Sequence, residues 1–113
     1  MTEAEFVAIA LGLPDVELSV NHGRPALNLK GKIFAGPGEG RGGVAVVKFT
    51  PEQQEMFCEV EPAIFRPDPT GWGRMGWTSF NVEAADPATA RSALVTAWRN
   101  VARKTLAANH PDL

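Results

Sequence analysis

A chain of 113 residues with 44% apolar and 21% charged residues is long enough to form one domain, 1–113, with a core that needs no disulfide or metal. Its formal charge of −2 lacks the strongly basic footprint usual for a nucleic-acid binder. Cys58 is the single cysteine, no segment approaches the roughly 20 apolar residues of a membrane span, and the acidic start predicts no signal peptide. A cytoplasmic protein without internal disulfides is expected.

Thr2-Glu3-Ala4-Glu5 has the spacing of a capping box, in which a threonine hydroxyl and a glutamate satisfy each other's free amides. Phe6, Ile9, Ala10 and Leu13 follow at helical spacing, and Gly12 and Pro14 end the run. The period then changes to two. Val16, Leu18 and Val20 alternate with Glu17 and Ser19, and Leu27 and Leu29 with Asn28 and Lys30, which predicts strands. Lys30-Gly31 closes a tight hairpin into Ile33-Phe34-Ala35, and 44–49 reads as a more buried strand.

Thr50-Pro51-Glu52-Gln53 is a second capping box, with proline where its missing N–H costs nothing. The spacing turns Met56, Phe57 and Val60 of this helix inward. Another antiparallel pair is expected from 64–66 and 75–82. Trp77 and Phe80 point to opposite faces of a regular strand, unless a bulge brings them together. Asp86-Pro87 caps the longest helix. Its apolar stripe is Ala90, Leu94, Ala97, Trp98 and Val101, with Arg91, Arg99 and Arg103 pointing away and Lys104 at its border. Leu106 falls outside the stripe, so the helix end either frays or binds something. The order helix, strands, helix, two strands, helix predicts a two-layer α+β domain, an antiparallel sheet of about five strands covered by three helices.

Most chemical motifs have plainer explanations. Residues 38–43 match G-x-G-x-x-G, but a strand rather than a helix follows, so no helix N-terminus faces a pyrophosphate. A loose hairpin loop accounts for these glycines without a ligand. His22 lacks an evident base or nucleophile as partner. It is one of two histidines, and the other, His110, falls in a tail expected to fray. No His/Cys/Asp cluster has metal-ligand spacing, so neither metal nor cofactor is expected. Cys58, on or beside the apolar face of the second helix, reads as a small buried hydrophobe rather than a reactive thiol. Trp98 belongs to the core stripe. Trp72, between Arg66 and Arg74 in a glycine-rich turn, is either an exposed contact or folded over the sheet edge.

The charges are uneven: Arg24, Lys30, Lys32, Arg41 and Lys48 stand against Glu39 alone in 24–48, whereas 52–61 carries only acids. Local positive fields can therefore coexist with a negative sum.

His22-Gly23-Arg24-Pro25, Lys32-Ile33-Phe34-Ala35, Val47-Lys48, Gly76-Trp77, Ala97-Trp98-Arg99 and Lys104, following a helix that ends Leu13-Pro14, resemble in order and spacing the MmcQ/YjbR family. The resemblance spans nearly the whole chain and implies a CyaY-like α+β fold. Many relatives carry proline in the closing segment where this chain has Arg103. The family is described as DNA-binding through a double wing of hairpins and has no associated catalytic residues. Applied here, the wings are the hairpin tipped by Lys30-Gly31-Lys32 and the turn flanked by Arg66 and Arg74, with Arg24 and Trp72 as further contacts. Such turns suit phosphate contact without base reading, giving weak, salt-sensitive DNA binding by a non-enzymatic monomer or weak homodimer. The rival reading is a protein- or small-ligand-binding adaptor that uses the sheet face or the glycine-rich loop.

Overall fold

Three capped helix starts anchor the architecture. In the computed structural model, which describes residues 1–21, 23–36 and 44–113 (for Asn21 the backbone only), α1 (Glu3–Leu11) opens on the Thr2 and Glu5 capping box. Helix α2 (Pro51–Val60) opens on the Thr50 and Gln53 box. Helix α3 (Pro87–Val101) opens on Asp86, whose carboxylate accepts from the Thr89 amide at 2.7 Å. Each cap satisfies amides that the first helical turn leaves without partners.

Six strands form one antiparallel sheet: β1 (Val16–Asn21), β2 (Arg24–Leu29), β3 (Lys32–Gly36), β4 (Val44–Lys48), β5 (Phe65–Pro67) and β6 (Trp77–Asn81). Their spatial order is β1-β2-β3-β4-β6-β5, in keeping with the sheet of about five strands expected from the sequence. A 3-10 helix (Gly71–Met75) joins β5 to β6. The two-layer α+β arrangement fits the expected class. Leu27, Leu29, Phe34, Ala45, Val47, Phe65 and Phe80 of the sheet meet Phe6, Ala10, Leu94, Ala97 and Trp98 of the helices in one core.

A bulge is present, but not where Trp77 and Phe80 invite one. Strand β6 pairs regularly with β4 and alternates, so Thr78 and Phe80 are buried while Trp77, Ser79 and Asn81 lie on the helix-free face. The irregularity falls between β2 and β3, where Leu27 pairs with Ala35 but Asn28 with Ile33. The extra residue lets consecutive Phe34 and Ala35 both enter the core.

Helix α2 differs from its sequence-based reading. Met56 and Val60 are 53% and 70% exposed, and the inward positions are Gln54, Phe57 and Cys58. The Phe57 ring lies 4.5 Å from that of Phe49 and 4.9 Å from that of Phe65. Gln54 Nε2 donates to the carbonyls of Gly73 and Trp77 and to Thr78 Oγ1. A polar side chain faces inward because it supplies hydrogen bonds to the turn beneath it.

The last helix also departs from expectation. It ends at Val101, Ala102 and Arg103 are extended, and a short helix α4 (Lys104–Ala108) follows. The break carries Leu106 and Ala107 back against the core. Arg99 does not project freely: its guanidinium donates to the main-chain oxygens of His110, Pro111 and Leu113. His110 is half-buried, edge-on to Trp98 with ring centroids 6.2 Å apart. The tail expected to fray is folded onto α3.

Candidate functional site

The register decides which cations share one end of the sheet. Strand β2 runs from Arg24 to Leu29, and Lys30-Gly31 turns it into β3 with φ of +52° and +84°. Positive φ at both central residues is the hairpin turn that matches strand twist, and glycine adopts it without strain. The tip therefore presents Lys30 and Lys32, both exposed. Arg24 lies at the opposite end of β2, on the order of 20 Å away at about 3.3 Å per residue. It does not join them.

The turn bearing Arg24 is closed by its pairing with Asn21, and Gly23 takes φ +76°. His22 lies outside the described residues, as does the glycine-rich motif at 38–43. Pro25 precedes Leu27, the first β2 residue paired with β3, so its missing N–H interrupts no bond on that side.

A second group gathers on the helix-free face. Lys48 pairs with Trp77, and Arg66 with Ser79 two residues along β6, so both cations flank β6 on Trp77's side. Lys48 Nζ sits 5.3 Å from the Trp77 ring centroid, within cation–π range. Gly76, just before Trp77, has φ +104°, and a Cβ there would collide with the Phe49 carbonyl. The Gly76-Trp77 pair is thus a backbone requirement joined to a surface aromatic. Trp72 is 60% exposed, on a turn where Asp68 accepts from both the amide and the hydroxyl of Thr70. It is not folded over the sheet edge, and Arg74 beside it is also exposed.

Lys30, Lys32 and Arg103 line one cleft of about 340 Å³, together with Leu29, Val101, Thr105 and Leu106. Lys104 is exposed at the start of α4 but is not part of this lining. Among the described residues the only ion pair within 4.0 Å joins Lys30 to Asp15, at 3.7 Å. A carboxylate therefore does sit beside one of the hairpin cations.

Arg103 and Lys48 were not marked by the sequence as site residues. Strand alternation through Val44, Val46 and Lys48 carries the signal for Lys48. The signal for Arg103 lies only in the misfit of Leu106 with the helical stripe. Burial pushes the Cys58 thiol up from its ordinary range, as for a space-filling rather than a reactive cysteine. No described helix is long and apolar enough to cross a membrane.

The fold has a counterpart among known proteins. The YjbR family model matches residues 11–100, and the chain belongs to that family. A crystal structure of Deinococcus radiodurans protein DR2400, whose family-model domain is DUF419, is similar at a TM-score of 0.76 and 12% identity. The match covers 96% of this chain and 86% of that one, a likeness of fold alone. No curated protein matches the chain in sequence.

Proposed function

We propose that this protein is a non-enzymatic DNA-binding module of low sequence specificity that contacts phosphates from two separate turns. One contact is the Lys30-Gly31-Lys32 tip. The other is the β5–β6 region carrying Arg66, Trp72 and Arg74, with Lys48 beside Trp77 extending it across the sheet. The observation that carries this reading is the exposed, glycine-turned hairpin tip with a lysine on either side of Gly31.

Strand order supports the spacing of the two contacts. Strands β3 and β5 are three strand intervals apart, about 14 Å at roughly 4.8 Å each. That is comparable with the roughly 12 Å major groove of a duplex. Short cationic turns reach phosphates without reading base edges. The reading requires the exposed α2 acids, Glu52, Glu55 and Glu59, to face away from the duplex. The Asp15 carboxylate works against the reading at one point, because it offsets the charge of Lys30.

Fluorescence anisotropy with a labelled duplex, titrated across salt, tests the proposal. Affinity is expected to fall steeply with salt, and each phosphate-contacting lysine removed is expected to lower the log–log slope by about 0.9. Absence of binding at low ionic strength, with all these cations intact, overturns it.

A further inference from the structure

The cleft between the β2–β3 turn and the α3–α4 break combines two properties that the DNA reading does not need. Its walls include apolar Leu29, Val101 and Leu106, and its lining also contains Lys30, Lys32, Arg103 and the Thr105 residue. Phosphate contact by a hairpin tip requires only the lysines on its outer side. An apolar wall beside three cations suits a ligand with an anionic head and an apolar body.

The cleft exists because α3 stops. Ala102 has φ −69° and ψ +138°, and Arg103 φ −66° and ψ +152°, both extended, with neither glycine nor proline present to force the break. A continuous helix would leave Leu106 outside the apolar stripe. The break instead brings Leu106 and Thr105 to the same hollow as the hairpin. Asp15 and Lys30, the two described non-glycine residues with positive φ, form the ion pair at this end. Lys32 and Arg103 have no carboxylate within 4.0 Å among the described residues.

We infer that this cleft is a binding site for a small phosphate monoester carried on an apolar or aromatic body. Three cations against one carboxylate leave two positive charges. A phosphate monoester carries about −1.5 to −2 at neutral pH, so head and cleft are matched in charge. Arg103 supplies a planar fork suited to two phosphate oxygens, and the lysines supply adjustable point charges. The 340 Å³ of the cleft falls at the lower end of the roughly 300–1,000 Å³ typical of small-molecule sites. Val101 and Leu106, both partly exposed, would cover the apolar body, with the buried Leu29 behind them. This inference does not rest on DNA binding and stands or falls without it.

The experiment is a 1H–15N correlation titration of the full chain, without DNA, using phenyl phosphate, inorganic phosphate and phenol as separate probes. Phenyl phosphate is expected to give saturable shifts at amides of 29–32 and 101–106, with at least tenfold higher affinity than either fragment. The double variant Lys32→Gln/Arg103→Gln is expected to lose at least tenfold in affinity while its melting temperature stays unchanged, since both side chains are exposed. Failure of phenyl phosphate to shift those amides overturns the inference. So does equal affinity for inorganic phosphate, or unchanged affinity in the folded double variant.

Discussion

Trp98 Nε1 donates to the carbonyl oxygen of Pro14 at 3.0 Å, bridging 84 positions of the chain. The indole is fully buried in the core, and its one polar atom is satisfied by the turn that follows α1. Leu13-Pro14 and Ala97-Trp98, two separate pieces of the family resemblance, are thus two halves of one structural contact. Trp98→Phe keeps most of the packing and removes the donor. It is expected to cost about 1–3 kcal/mol, the usual penalty for an orphaned buried acceptor, as read by urea unfolding. A loss below about 0.5 kcal/mol would show that water replaces the indole at Pro14.

Gln54 and Met56 reverse the usual order of importance on a helix. Gln54 Nε2 serves three acceptors in the turn beneath α2, whereas Met56 stands exposed. Gln54→Ala is therefore expected to destabilise by about 1–3 kcal/mol, and Met56→Ala by no more than about 0.5 kcal/mol. Equilibrium denaturation of the two variants side by side checks the ranking. The opposite ranking would turn the apolar side of α2 inward.

The Asp86 carboxylate is held below its ordinary range, chiefly by the backbone hydrogen bond from Thr89 and then by that residue's side chain. A carboxylate depressed in the folded state stabilises above its unfolded pKa of about 3.9. That contribution is lost as pH falls through the lower, folded value. Asp86→Asn is expected to lower the melting temperature at neutral pH and to converge with the parent in strong acid. A constant difference across that acid range would dissociate the cap from titration.

Residue pattern revealed most of the scaffold because local signals and tertiary packing agree there. Thr2, Thr50 and Asp86 mark helix starts by side-chain chemistry that acts within one turn, and Lys30-Gly31 marks a hairpin by backbone sterics. Disagreement appears where long-range contacts decide. Gln54 faces inward because of Gly73, Trp77 and Thr78, none of which is a neighbour in sequence. The break at Ala102 and Arg103 has no local breaker, and its compensation is the docking of Leu106 and the Arg99 bonds to the tail. The cleft depends on that break, so the grouping of Arg103 with Lys30 and Lys32 was not legible from spacing. Arg24, close to Lys30 in sequence, lies at the other end of its strand for the simple reason that a strand is extended.

Asp15 offers a direct probe of the proposed DNA contact. Its ion pair with Lys30 joins side chains that are 48% and 62% exposed, so its contribution to stability is expected to stay below about 1 kcal/mol. Asp15→Asn frees Lys30 without removing a cation. Duplex affinity at low salt is expected to rise and the salt dependence to steepen, as read by the same anisotropy titration. Unchanged affinity with a retained melting temperature would mean that Lys30 does not face the DNA.

Arg103 separates fold from binding. Its φ of −66°, with the preceding Ala102 at ψ +138°, is a geometry that proline and its predecessor adopt without strain. The Arg103 amide donates to no main-chain carbonyl among the described residues, so a proline there deprives the fold of no backbone bond. Arg103→Pro is expected to stabilise by about 0.4–1 kcal/mol through the unfolded chain, raising the melting temperature by a few degrees. The same substitution removes the guanidinium fork from the cleft, so phenyl phosphate affinity is expected to fall at least tenfold. A more stable variant that binds as before would confine the site to the lysines. A destabilised one would show that the Arg103 stem, packed beside Val101 and Leu106, or an unextended backbone at the α3–α4 break outweighs the entropic gain.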